Sequence, residues 1–169
     1  MRVVYISIVG MSPEAVVNSF WCAVRDDKLN VVRVYLLCSR DDRKRGIRGS
    51  IALFDEIRRR ILEVAKKNLG LSLCKENIEK VEVEQEDFKS VYENIKEICE
   101  RESADYELCV DITGGRKTMS GGALLAARDL SLKCYYLWVY DPSRCKGKRL
   151  DEMIEGRDYE LIRLHELWR

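Results

Sequence analysis

"YELCVDIT" (Tyr106 to Thr113) runs directly into "GGRKTMSGG" (Gly114 to Gly122), and the reading of that junction decides the fold. The first segment is a short apolar run closing on an acid and a hydroxyl, the pattern of a buried strand. Two glycines then make a tight turn, two cations follow, and an alanine-rich helix is expected from about Lys117 to Leu132. A strand feeding a helix through glycines is the repeating unit of α/β proteins.

The rest of the chain repeats this alternation. "RVVYISIVG" (Arg2 to Gly10) is β-branched and nearly continuously apolar, as a strand buried on both faces should be. "MSPEAVVNSFWCAV" follows as a helix, with Ser12 as N-cap, Pro13 in the first turn and Glu14 near the positive end of the helix dipole. "VVRVYLLCS" (Val31 to Ser39) is a second strand, and a helix is expected over Ser50 to Asn68, closed by Gly70. "IEKVEVEQ" (Ile78 to Gln85) alternates like a strand nearer the sheet edge. "EDFKSVYENIKEICERE" (Glu86 to Glu102) spaces Phe88, Val91, Ile95 and Ile98 as a helix. "CYYLWVYD" (Cys134 to Asp141) is a strand, "PSRCKGKR" a basic loop and "YELIRLHELW" a last strand. The expected architecture is a Rossmann-like three-layer α/β sandwich with a mainly parallel central sheet, built as one domain over residues 1–169.

Composition narrows the function. Lys and Arg (30) nearly cancel Asp and Glu (29), so an anion site must be local rather than a global basic field. No apolar run reaches the roughly 18–20 residues of a membrane span. The N-terminus is too short and strand-like for a signal peptide, so a cytoplasmic protein is expected. The charged fraction of 35% with a single Gln suits a thermophile. The seven cysteines contain no CxxC or CxxH pair, and Cys38, Cys109 and Cys134 read as small buried thiols. No metal site and no cofactor is expected. His165, the only histidine, lies far from the expected ligand edge.

In a Rossmann order the first and fourth strands are neighbours, and ligands gather at their carboxyl ends. Two loops meet there: Gly10-Met11-Ser12-Pro13 and Thr113-Gly114-Gly115-Arg116-Lys117. The second suits a phosphate. Glycines let backbone N–H groups approach an anion, the helix start adds partial positive charge, Arg116 and Lys117 add full charges, and Thr113 offers a hydroxyl. The spacing fits neither a Walker A loop nor a dinucleotide fingerprint. A solvated glycine turn with no ligand is the plainer alternative. Gly121, Gly122, Ala123, Ala126 and Ala127 suit close packing against either the sheet or a second subunit. "SRDDRKRGIRGS" reads as a solvated loop or as a mobile arm over a polyanion.

"VDITGGRKTMSGGAL", together with "ISIVGMSPEAVV", resembles the CRISPR-associated Rossmann fold (CARF) domains. The D-x-T-G-G-x-K-x-M string is the specific part, and the G-x-S-P start falls where the family has its first loop. The resemblance implies a homodimer binding a cyclic oligoadenylate across its twofold axis, through Gly10, Met11, Ser12, Thr113, Gly114, Gly115, Arg116, Lys117 and Met119. Asp111 would be structural. Many such domains are fused to effectors, but no R-x4-6-H ribonuclease motif follows here, since Arg163 stands too close to His165. Small members of the family include ring nucleases, which cut the ring without metal by attack of a ribose 2′-OH and leave a 2′,3′-cyclic phosphate. That chemistry needs in-line geometry and charge stabilisation; Ser12 and Lys117 are the residues implied. The expected function is binding and cleavage of cyclic tetra-adenylate, switching off type III CRISPR signalling. The alternatives are a non-catalytic sensor or sponge acting through a partner effector, and an unrelated mononucleotide enzyme.

Overall fold

In the computed structural model of the chain, which describes residues 1–84 and 87–168, the described residues form one six-stranded sheet. In chain order the elements are β1 (Arg2–Val9), α1 (Pro13–Asp27), β2 (Asn30–Ser39), α2 (Phe54–Val64), β3 (Ile78–Val83) and α3 (Phe88–Glu102). They continue with β4 (Glu107–Asp111), α4 (Lys117–Asp129), β5 (Lys133–Val139) and β6 (Tyr159–Arg163). The strand order is β3-β2-β1-β4-β5-β6, parallel throughout except for β6, which runs antiparallel on β5. Strand order reverses between β1 and β4, as the alternation of strands and helices predicts.

β1 shows why the molecule has three layers. Val3, Tyr5 and Val9 point into one core, with Phe20 of α1 and Ile57 and Ile61 of α2. Val4, Ile6 and Ile8 point into the other, with Val91 and Ile95 of α3 and Ala123 and Ala126 of α4. A strand with period-two side chains and helices on both faces is apolar on both, which is why its sequence does not alternate; the one buried polar residue in it, Ser7, is hydrogen-bonded.

Two expectations need correction. The final segment is a strand only over Tyr159–Arg163; Leu164–Trp168 coils into a 3-10 turn. That turn tucks the His165 ring inward, where the Cys134 N–H donates to Nδ1 at 3.1 Å. The helix expected over Ser50 to Asn68 is a 3-10 turn (Ile51–Leu53), then α2, then a π-turn (Ala65–Leu69). It does end on Gly70, at φ 66°, a backbone angle glycine adopts without strain. Gln85 and Glu86, the expected end of the third strand and start of the next helix, lie outside the described residues.

The basic loop after β2 is folded rather than an unanchored arm. Asp42 and Ile47 exchange backbone hydrogen bonds, and the Gly49 N–H donates to Asp41. Arg40 pairs with Glu82 and Glu84. After β5 the chain makes a long excursion that packs on α1. Asn18 Nδ2 donates to the Lys148 carbonyl, Arg149 stacks over Trp21, and buried Asp158 is held by Arg144, Arg157 and the Ile154 N–H. Buried thiols behave as small hydrophobes: burial pushes Cys38 and Cys134 up to about 12 and Cys99 up to about 11. No helix among the described residues is long and apolar enough to cross a membrane.

Four of the five small residues of α4 pack inside the chain, and Gly121 lines a surface groove. Ala123, Ala126 and Ala127 lie on the sheet, and Gly122 lets α3 approach so closely that a Cβ there would sit 2.5 Å from the Phe88 carbonyl oxygen. Because that neighbour is backbone, relief requires moving a helix. Gly122→Ala should therefore destabilise the fold by about 1–2 kcal/mol, the overpacking strain exceeding the helix-propensity gain of alanine. A lowered urea midpoint is the expected result; an unchanged or raised one would contradict the packing.

Candidate functional site

The carboxyl ends of β1 and β4 are adjacent, Ser7 pairing with Asp111 in register. Their loops nest on glycine. A Cβ on Gly10 would lie 1.8 Å from the Gly114 carbonyl oxygen, and one on Gly114 would lie 2.6 Å from the Ile8 oxygen and from Val16 Cγ2. The side that these glycines leave open is thus filled by the protein itself, and Gly10 is buried beneath the second loop.

Asp111 holds the two loops in place. It is fully buried and accepts from Thr113 N (3.0 Å), Thr113 Oγ1 (2.6 Å), Ser19 Oγ (2.9 Å) and Ser7 Oγ (3.2 Å). One carboxylate thereby ties β4, α1 and β1 to the turn. Thr113 extends the tie to β5, its hydroxyl oxygen accepting the Leu137 N–H at 2.8 Å. The Thr113 hydroxyl, read from the sequence as a ligand contact, gives its proton to Asp111, while the residue stays half-buried and lines a cavity beside the first loop. Ser7 and Ser19 were not foreseen. Their signal was a serine set in each of two largely apolar stretches, "YISIV" and "VVNSFW", the second of which also holds Asn18.

The start of α4 has the opposite character. α1 is capped by Ser12 and α3 by Asp87, but no side chain caps α4 and no acid lies in its first turn. Its leading N–H groups therefore have no capping side chain among the described residues, the arrangement that favours an anion. Arg116 sits at this end and donates from Nη2 to the Arg48 carbonyl at 2.9 Å, docking the basic loop against it. Lys117 is exposed and has no hydrogen-bond or ion-pair partner among the described residues. Met119 is fully buried in the core beside Ala123, which corrects its expected place among the ligand contacts: its helical position faces the sheet, away from the surface.

On the other flank, Met11 is exposed at the loop tip. Ser12 Oγ accepts the Ala15 N–H at 3.4 Å and donates to Glu14 Oε2 at 3.3 Å, so the predicted capping role is present. Glu14 also binds Arg60 at 3.0 Å. Burial works to raise its pKa, but hydrogen bonds from its own N–H and from Arg60 prevail and hold it below the usual carboxylate value. Beside these residues opens a cavity of about 400 Å³, lined by the apolar Ala15, Leu137, Val139 and Met153, by exposed Met11 and Lys146, and by the polar groups of Ser12, Glu14, Asn18 and Thr113. Asn18 and Lys146 carried no signal in the sequence.

Burial raises the Asp111 pKa above its ordinary 3.8, outweighing its four hydrogen bonds. The folded state then takes up a proton before the unfolded chain does as pH falls, so this group contributes stability at low pH that is lost as pH rises through the raised value. Asp111→Asn cannot titrate. Wild type should gain stability relative to that variant when urea unfolding is followed from neutral pH down towards 4; a relative loss would reverse the assignment.

No family model and no curated protein matches the chain. Solved structures do. Can2 from Sulfobacillus thermosulfidooxidans, in complex with cyclic tetra-adenylate, is 16% identical with a TM-score of 0.53, over 79% of this chain and 31% of that one. Enterococcus italicus Csm6, bound to cyclic hexa-2′-fluoro-hexa-dAMP, is 14% identical with a TM-score of 0.62, over 99% of this chain and 43% of that one. Protein VC1899 from Vibrio cholerae is 12% identical with a TM-score of 0.52, over 79% and 30%. The chain spans less than half the length of each. At such identities the likeness is one of fold, and by it the chain has a CARF-like fold, the one that its D-x-T-G-G-x-K string resembles.

Proposed function

We propose that this chain binds a cyclic oligoadenylate, with cyclic tetra-adenylate as the expected ring, and cleaves it without metal as a cytoplasmic component of a type III CRISPR response. The observation that carries the reading is the uncapped start of α4, which offers free N–H groups beside Arg116 and Lys117 where strand order reverses. Can2 and Csm6, similar in fold, are bound to cyclic nucleotides of this kind. In the proposed reaction a ribose 2′-oxygen bonds to the adjacent phosphorus as the bond to the 5′-oxygen breaks. The 2′ proton passes to the leaving oxygen, and a 2′,3′-cyclic phosphate remains. Lys117 would stabilise the negative charge that grows on the non-bridging oxygens of the attacked phosphate. Ser12 would meet the scissile phosphate only by releasing Glu14.

A symmetric ring calls for two copies of the loop, and we infer a homodimer. The outward face of α4 supports it. Leu124 and Leu125, with Phe88, Leu164, Leu167 and Trp168, line an apolar groove, and Leu167 is 79% exposed. Pairing this face would bring the two α4 starts towards one axis.

The sensor reading rests on an observation of its own. The Ser12 hydroxyl is already committed to the cap and to Glu14, whose carboxylate opposes a phosphate beside it. A single experiment separates the readings: pure protein, in EDTA, is incubated with labelled cyclic tetra-adenylate in slight deficit. Linear products ending in a cyclic phosphate are expected. Tight binding without products would leave a sensor, and one nucleotide per chain, rather than one ring per two chains, would favour a mononucleotide enzyme.

Lys117→Ala should weaken ring binding by about 1.5–3 kcal/mol, roughly ten- to hundredfold in Kd, and slow any cleavage. Titration of wild type and variant measures it; unchanged affinity and rate would remove Lys117 from the site.

A further inference from the structure

Resting on the ring-binding reading, the structure assigns a base-reading residue: we propose that Asn18 recognises the 6-amino group of an adenine seated in the cavity beside the first loop. Asn18 is 5% exposed yet lines that cavity. Its Nδ2 is committed to the Lys148 carbonyl at 2.9 Å, which fixes the amide's orientation. Oδ1 accepts no hydrogen bond among the described residues. That oxygen is not sealed off inside the protein, so a donor entering the cavity can reach it, and a ligand amine there would supply the bond.

The surrounding chemistry selects a flat, weakly polar group rather than a second phosphate. Leu137 and Met153, 3% and 8% exposed, form the floor, and Val139 packs beside them. The cations of the α4 start, Arg116 and Lys117, do not line this cavity. Met11, 47% exposed at the rim, presents a polarisable thioether of the kind that packs well on aromatic faces. Lys146, exposed and without a partner among the described residues, stands on the rim, where it can reach a phosphate joined to the base. An acceptor facing the base edge favours adenine's 6-amino group and opposes a 6-keto group, so the same atom that binds adenine rejects hypoxanthine and guanine.

The test compares two rings that differ only in that amine: cyclic tetra-adenylate, and the ring built from purine riboside, which lacks it. Wild type should bind the adenylate ring at least about tenfold more tightly, since a site built around a hydrogen bond discriminates against the analogue lacking it. In Asn18→Leu, binding of the adenylate ring should fall to the level of the amine-free ring. Because Asn18→Leu also removes the bond to the Lys148 carbonyl, the variant is read by the ratio of its two affinities, which should fall to about one, with its folding checked by circular dichroism. Equal affinity of wild type for the two rings overturns the role of Asn18 and leaves ring binding standing, and this comparison needs no variant. Retained discrimination in Asn18→Leu overturns it as well. Failure of wild type to bind either ring overturns the ring-binding reading and this assignment together.

Discussion

A single buried carboxylate organises the ligand edge. Asp111 lies at the end of β4 with no ion-pair partner among the described residues, and its oxygens accept from three hydroxyls and one N–H. A charge in that setting is stable only if every donor is held in place, so the acid dictates the positions of Ser7, Ser19 and Thr113. Those three residues belong to β1, α1 and the loop before α4. The hub therefore fixes the relation between the two loops before any ligand arrives. It also explains why Thr113, although in the loop, is a structural clamp.

The glycines work with the hub. Nesting Gly10 under Gly114 removes the space between the loops, and Gly122 does the same between α3 and α4. Close approach at both places leaves the α4 start little freedom, and its N–H groups point from a rigid base. Preorganised donors of this kind are worth more to a developing anion than donors that must first be ordered. Arg116 adds a brace by holding the Arg48 carbonyl. Lys117, next to it, has no hydrogen-bond or ion-pair partner among the described residues.

The two flanks of the site thus differ in chemistry. The α4 side is cationic and uncapped, while the α1 side is capped by Ser12 and buffered by the Glu14–Arg60 pair. Below the capped side the sheet offers an apolar floor, closed by the excursion between β5 and β6 that Asp158 anchors. A nucleotide has the same division, with an anionic phosphate on one side and a flat base on the other.

Much of this was legible in the sequence. The alternation of strands and helices, the Ser12 cap, the Gly70 stop, the buried thiols and the glycine turn ahead of Lys117 are all signals between near neighbours in the chain. Local propensity and periodicity carry such signals, and they fixed the order of elements and hence the adjacency of β1 and β4. What only the tertiary structure decided are the pairings across long separations. Ser19 meets Asp111 across 92 positions and Asn18 meets Lys148 across 130. The same holds for the face a residue turns inward: Met119 reads as part of a loop motif, but the helix phase set by packing on the sheet buries it. A sequence determines which residues can bond; which of them meet depends on how the sheet is ordered and how closely its helices approach.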